Sequence, residues 1–217
     1  MSQPVAAWSE SGLGKTRIEA LTDGMFAIVM TLLVLDIKVP AVARATASEE
    51  LPYGLLLLWP KILSYAISFV ILGVYWVGHH NLFHFIKRSD RFLLWINMFF
   101  LMAVAFVPFS TALLSEYGRQ PIATLIYGVN QMVAGLSLYI QWWHATRRRR
   151  LIDPDLDQRL ITAATRRILI APTLYAAAVP LSFLKPILAV LIYALVPLLY
   201  ILPGRIDLHW SRPHARP

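Results

Sequence analysis

The chain has 217 residues, of which 58% are hydrophobic and 15% are charged, and its mean hydropathy is +0.58. A water-soluble core of this size cannot hide so much apolar surface, so the composition excludes an ordinary soluble protein and indicates a polytopic membrane protein. The absence of cysteine excludes disulfides and thiolate metal sites. The net charge of +8 does not require nucleic acid as a partner, because its distribution fits a membrane topology.

Six apolar segments predict six transmembrane helices in an all-α fold of one domain, residues 1–217. Met1–Thr16 contains no long apolar run, so we expect no cleaved signal peptide. Pro60 is expected to bend the second segment or to begin its membrane part. The approximate bounds of the six predicted helices are 15–38, 54–85, 92–114, 121–145, 160–184 and 186–202.

The first segment, Arg17–Pro40, begins with charged residues and continues as an almost uninterrupted apolar run. A helix over these residues is about 36 Å long, enough to cross a hydrocarbon core of about 30 Å. One stripe of this helix is apolar, and it consists of Ile28, Leu32 and Leu35, with Ala27 and Thr31 beside it. Two interpretations are open: the stripe packs against another helix of the same chain, or it lines a symmetry axis.

The Lys and Arg residues are distributed unequally between the two sides of the membrane. With six spans and the N-terminus inside, fifteen of the 20 Lys and Arg residues lie on the cytoplasmic side. The other five are Lys38, Arg44, Lys61, Arg119 and Lys185. This bias follows the positive-inside rule and predicts that both termini are cytoplasmic.

Ionisable residues at the start of the first helix predict a polar cluster, because charges at membrane depth are costly unless they face protein or water. For Asp23 we predict a buried, hydrogen-bonded position, whereas Arg17 fits either this cluster or the interface. His79 or His80 is expected to pair with Asp23 or with a polar group of the third segment.

Catalytic and metal-binding motifs are poorly represented. His80 and His84 share a helix face at i, i+4, but no HExxH motif or second dense cluster accompanies them, so we expect no metal. No Walker loop, Ser/His/Asp set or redox motif is visible, which predicts neither an enzyme nor a bound cofactor. The TVGYG filter of ordinary potassium channels is also absent.

The sequence RIEALTDGMFAIVMTLLVLDIKVP, Arg17–Pro40, resembles the first helix of the transmembrane protein 175 family of potassium channels. The shared residues are Arg17, Asp23, Gly24, Ile37, Val39 and Pro40. The chain departs from the family at Leu21, where the family has Phe, and at Thr22, where it has Ser. The resemblance continues over Trp76–Leu114 and is weaker in the last three helices.

The resemblance implies a homotetramer in which helix one of each subunit lines a central pore. By position, Ile28 matches the innermost constriction, and Leu32 and Leu35 match the next rings outward. Thr31, with Ala27 beside it, matches the level that favours potassium. The implied structural polar network consists of Arg17, Thr22, Asp23, His79 and His80.

The resulting prediction is a channel weakly selective for potassium over sodium in the bacterial inner membrane. Its expected partners are copies of itself, permeating potassium ions and the lipid bilayer, without nucleic acid. A small secondary transporter or a proton-permeable leak pathway is the alternative, although no internal repeat supports a transporter. A membrane enzyme ranks third.

Overall fold

The computed structural model describes residues 14–201. The secondary-structure elements within this range are α-helices and short 3-10 helices. The eight α-helices of this range are α1 Lys15–Leu32, α2 Ala47–Leu57, α3 Trp59–Phe85, α4 Arg91–Ala105, α5 Val107–Tyr117, α6 Pro121–Thr146, α7 Gln158–Leu184 and α8 Pro186–Ile201. Short 3-10 turns follow α1, at Leu33–Asp36, and α6, at Arg147–Arg149. The predicted last residue of the sixth helix, 202, lies outside the described range, as do Arg205, Arg212 and Arg216.

Five helical stretches are long and apolar enough to cross a membrane, and they are Lys15–Asp36, Trp59–Phe85, Arg91–Tyr117, Pro121–Arg149 and Gln158–Leu184. The apolar helix α8 is shorter, with 16 described residues. At 1.5 Å per residue α8 extends about 24 Å, somewhat less than the hydrocarbon core. The prediction of an all-α polytopic membrane protein is confirmed.

Two predicted helices are each divided in two by the structure. The second divides at Leu58, and Pro60 lies in the first turn of α3. The third divides at Phe106, and Pro108 lies in the first turn of α5. Proline supplies no backbone N–H and its ring crowds the preceding turn, so each helix restarts where the proline occupies a tolerated N-terminal position.

Helix α6 lies at the centre of the bundle and packs against α4, α5, α7 and α8. Two glycines allow its closest contacts. A Cβ at Gly135 would lie 2.8 Å from Cγ of Pro172 in α7, and a Cβ at Gly128 would collide with the Tyr193 hydroxyl of α8. Larger residues at either position would force these helices apart.

Candidate functional site

Helix α1 has one face against the rest of the chain and one face without cover. The buried face repeats at three to four residues and consists of Ile18, Thr22, Phe26 and Val29, followed by Leu33 in the 3-10 turn. Phe26 lies 6.0 Å from the Phe100 ring of α4, centroid to centroid. This apolar packing holds α1 on α3 and α4 and thereby determines which residues point away from the bundle.

The uncovered face carries the predicted stripe, which we call the α1 stripe: Ile28, Leu32 and Leu35. These side chains are 58%, 43% and 68% exposed, respectively. The interpretation in which the stripe packs within its own chain is therefore wrong for the described residues. Ala27 and Thr31 are exposed on the same side of the helix.

The outer end of the stripe differs from the uninterrupted helix that the sequence predicts. The α-helix ends at Leu32, and the 3-10 turn Leu33–Asp36 carries Leu35. With three residues per turn, side chains at i and i+3 eclipse one another, whereas an α-helix would rotate Leu35 about 60° away from Leu32. The 3-10 geometry therefore keeps Leu35 in line with Leu32.

Thr31 orients its hydroxyl through a bond to its own helix. Its Oγ1 donates a hydrogen bond of 2.7 Å to the Ile28 carbonyl oxygen. Because the hydroxyl hydrogen is used in this bond, the oxygen lone pairs remain available on the uncovered face. Oxygen lone pairs are the groups that coordinate alkali cations in selective pores.

A buried polar network lies behind the inner half of α1. Asn97 Nδ2 of α4 donates a hydrogen bond of 3.2 Å to Thr22 Oγ1. Its Oδ1 accepts a 3.0 Å hydrogen bond from His79 Nε2 of α3, so the proton of the imidazole is on Nε2. The His79 ring stacks against Phe83 and Phe100, with centroids 4.1 and 5.7 Å away. All three polar side chains are buried, and together they join α1, α3 and α4.

Asp23 differs from its prediction, because it is exposed in the single chain and its partner is not a histidine. Its Oδ1 accepts a 2.8 Å hydrogen bond from Trp76 Nε1 of α3. The Trp76 ring stacks at 6.0 Å on His80, which is itself exposed. The Asp23 carboxylate is thus stabilised by an indole N–H rather than by burial.

The predicted five-residue network is therefore only partly assembled. The structure brings Thr22 and His79 together through Asn97, and it connects Asp23 to His80 only through Trp76. Arg17 is exposed, and its side chain makes no hydrogen bond or ion pair with the residues described. His79 pairs with Asn97, a polar group of the third segment, which was one of the two expected partners for a histidine. The predicted burial of Asp23 is wrong, and the indole of Trp76, not an imidazole, reaches its carboxylate.

Polar contacts also anchor the outer end of α1. Ser115 Oγ of α5 donates a hydrogen bond of 3.1 Å to Asp36 Oδ2. The next residue of α5, Glu116, forms an ion pair with Lys61 at the start of α3, with 2.8 Å between Oε2 and Nζ. These contacts connect the 3-10 turn, α3 and α5 at the end where the stripe terminates.

At the opposite, inner end, Asp90 caps α4 and binds α6. Its Oδ1 accepts from the backbone N–H of Leu93 at 2.8 Å, and its Oδ2 lies 2.8 Å from His144 Nε2 and 3.7 Å from Arg150. Partial burial alone would raise the pKa of Asp90, but these donors and charges outweigh it and hold the pKa below its ordinary value.

No group of three or more His, Asp or Glu residues in a metal-binding arrangement occurs within the described range 14–201. Two contacts of the site are not predictable from residue patterns in the sequence. The bond from Trp76 to Asp23 and the bridging role of Asn97 join residues 53 and 75 positions apart, respectively. No spacing rule along the sequence connects such distant positions, although the polar Asn97 inside an apolar span indicated an interhelical contact.

The fold and this site define a multi-pass helical membrane protein whose first helix presents an uncovered apolar stripe. The sequence model described as the endosomal/lysosomal potassium channel TMEM175 matches residues 17–108, which cover most of α1, all of α2, α3 and α4, and the first residues of α5. A potassium channel of Streptomyces collinus is 37% identical over 196 residues, covering 88% of this chain and 92% of that protein. The chain belongs to the TMEM175 family, and the predicted family is confirmed.

Two further relatives define the extent of the similarity. The crystal structure of a TMEM175 homologue from Chamaesiphon minutus, described as a lysosomal potassium-selective channel homologue, is 35% identical with a TM-score of 0.76. The match covers 87% of this chain and 96% of that one. The human endosomal/lysosomal proton channel TMEM175 is 35% identical over 114 residues, which is 50% of this chain and 23% of the human protein.

Proposed function

We propose that the chain is a subunit of a homotetrameric potassium channel whose pore is lined by the uncovered face of α1. The observation that carries the proposal is the exposure of Ile28, Leu32 and Leu35 on a spanning helix whose opposite face is packed. The family and the potassium-channel names of the bacterial relatives support it. Potassium ions are the permeating species, and the mechanism requires no cofactor.

Four copies of the α1 stripe around an axis would form three stacked apolar rings. A narrow apolar ring excludes water and blocks ions by dewetting, so the rings act as the closed gate. A modest rotation or splay of α1 would widen the rings enough for hydrated ions to pass. The bonds from Trp76 to Asp23 and from Asn97 to Thr22 would hold the inner half of α1 during this motion.

Weak selectivity for potassium follows from the chemistry of the rings. Dehydration at apolar side chains costs more for sodium than for potassium, because the smaller ion holds its water more strongly. The outward lone pairs of Thr31, flanked by the small Ala27, would replace part of the lost hydration. Selectivity should remain lower than with carbonyl filters, which replace the hydration shell completely.

We also propose that the channel lies in a bacterial inner membrane with both termini in the cytoplasm. The distribution of Lys and Arg supports this orientation, since the arginine-rich segment after α6 and the basic loop before α4 share one end. The backbone N–H of Lys87 donates to the Leu151 carbonyl at 2.7 Å, which connects these two segments directly.

Proton permeation is the second candidate function, because the human relative is named a proton channel. Flux measurements on the full chain, in liposomes loaded with potassium or with sodium, distinguish the candidates. Potassium efflux that exceeds sodium efflux supports the proposal, whereas proton flux without potassium flux supports the alternative. Saturable or proton-coupled potassium flux would instead indicate a transporter.

The absence of cysteine from the chain permits a clean test of the axis. A single Ile28→Cys variant should form disulfide-linked dimers on oxidation in the membrane, because only copies facing one another bring two such residues together. Leu191→Cys is the matched control, since Leu191 is 53% exposed on α8, which packs mainly against α7 and α3. Cross-linking of the control but not of Ile28→Cys would contradict the proposed pore.

A further inference from the structure

An elongated cavity lies between α3, α6, α7 and α8, away from the α1 stripe. Its volume is about 90 Å³, and it is open to the surroundings at its mouth. Its wall on α3 runs from Ile71 to Phe85, about 21 Å along the helix axis. The cavity is therefore a long slot parallel to the helices rather than a round pocket.

The lining of the slot is mostly apolar, although Tyr75 and Tyr175 also contribute to it. Among the described residues that line it, Arg167 of α7 is the only charged one. Arg167 lies in the first half of α7, on the same side of the bundle as the end of α3 at Phe85. Asn81 lines this same part of the slot and adds an amide.

The Arg167 side chain is held against α8. Its Nη2 donates a hydrogen bond of 3.2 Å to the Tyr200 carbonyl, and the guanidinium carbon lies 6.0 Å from the Tyr200 ring centroid. The Tyr200 hydroxyl donates in turn to the Arg167 carbonyl at 2.8 Å. These contacts keep the cation at the wall of the slot instead of letting it extend freely into water.

We propose that this slot binds an anionic phospholipid, with an acyl chain along the apolar wall and the phosphate at Arg167. Charge complementarity identifies the occupant, because the planar guanidinium matches a phosphate and the rest of the wall matches a hydrocarbon chain. In the orientation proposed above, this end faces the cytoplasmic leaflet, where anionic lipids attract basic residues. Lipid binding to the slot can be measured without measuring ion flux, so its test is independent of channel activity.

The test measures thermal unfolding of the full chain, purified in detergent, with three added probes. Phosphatidylglycerol should raise the unfolding midpoint in a concentration-dependent way, because a ligand that binds only the folded state stabilises it. Phosphatidylcholine with the same acyl chains, and inorganic phosphate alone, should give much smaller shifts. An equal shift with phosphatidylcholine or with inorganic phosphate would overturn the proposal.

Adjacent residues of α7 provide matched variants. Arg167→Gln should weaken phosphatidylglycerol binding about tenfold, the loss expected for one charge-assisted contact, whereas Arg166→Gln, at an exposed position outside the slot, should leave it nearly unchanged. Ala164→Phe should block the slot, whereas Ala163→Phe on the exposed side should not. Full binding in Arg167→Gln, or equal losses in Arg167→Gln and Arg166→Gln, would assign the lipid to the surface arginines and overturn the proposal.

A folding defect is distinguished from a binding defect by two measurements on the same samples. Each variant should elute as the parent does in size-exclusion chromatography and should unfold cooperatively without lipid. If Ala164→Phe does not fold, Arg167→Gln still decides the outcome, because glutamine retains a hydrogen-bond donor for the Tyr200 carbonyl. A folded Ala164→Phe variant that binds phosphatidylglycerol as well as the parent would contradict the slot as the binding site.

Discussion

Trp76 Nε1 donates a hydrogen bond of 2.8 Å to Asp23 Oδ1 and thereby joins α3 to the inner half of α1. The indole is itself supported by its stack on His80, 6.0 Å away between centroids. The carboxylate is exposed on α1, so this bond joins α3 to a part of α1 that the bundle does not bury. It orients the helix that carries the stripe without contributing to the stripe.

The first prediction concerns this bond. Asp23→Ala and Trp76→Phe should each lower the yield or thermal stability of the proposed tetramer, by about 1 kcal/mol for one partly exposed hydrogen bond. The double variant should be about as stable as the less stable of the two single variants, because both changes remove the same hydrogen bond. Thermal unfolding and size-exclusion chromatography provide the measurement. Intact assembly of Asp23→Ala with altered ion selectivity would show that Asp23 acts on the ions instead.

The second prediction concerns the innermost apolar ring. Ile28→Asn should raise potassium flux through liposomes, because an amide in each subunit allows water to enter the ring and lowers the dewetting barrier. Leu191→Asn, a similar change at an exposed position of α8, should leave the flux at the parental level. Unchanged flux in Ile28→Asn would remove Ile28 from the gate.

The third prediction concerns selectivity. Thr31→Ala should lower the potassium-to-sodium permeability ratio by about two- to fivefold, the equivalent of one modest hydrogen-bond-type contact. Thr31→Ser retains the hydroxyl and its bond to the Ile28 carbonyl and should keep the parental ratio. Bi-ionic reversal potentials in planar bilayers measure both variants. Equal ratios in Thr31→Ala and the parent would assign selectivity to another position.

The fourth prediction concerns the buried network around Asn97. Asn97→Ala should destabilise the chain by about 1–3 kcal/mol, because Thr22 and His79 lose their shared partner inside the bundle. Ser137→Ala is the control, since the buried Ser137 hydroxyl donates only to the carbonyl of Val133 in its own helix and its loss should cost less. Similar unfolding temperatures for the two variants would contradict an important bridging role for Asn97.

The fifth prediction concerns pH. The pKa of Asp90 is below its ordinary value of 3.8 in the folded chain. The ionised carboxylate of Asp90 therefore stabilises the folded state relative to the unfolded state. The stabilisation is therefore complete well above that value and is lost as the pH falls through the lower, folded pKa. Unfolding temperatures of the parent and Asp90→Asn should differ near neutral pH and begin to converge only as the pH falls below about 4. A difference that grows on acidification would reverse the assigned sign.

Much of α1 was predictable because its pattern is local. The charged start, the apolar run and the i, i+4, i+7 spacing identify a spanning helix and place Ile28, Leu32 and Leu35 on one side. The same pattern could not decide whether that side packs within the chain. The packing of Phe26 and Val29 on the opposite side decided it, because a helix can bury only one of two opposed faces against a single bundle.

The sequence by itself determined the membrane class, the family and the apolar stripe, since hydropathy, motif and helical spacing are properties of neighbouring residues. Only the tertiary structure decided that Trp76 binds Asp23, that Asn97 connects Thr22 to His79, and that a 3-10 turn aligns Leu35 with Leu32. Hydrogen bonds between helices depend on how the helices rotate and pack in three dimensions, and many side chains along the chain could satisfy the same polar group.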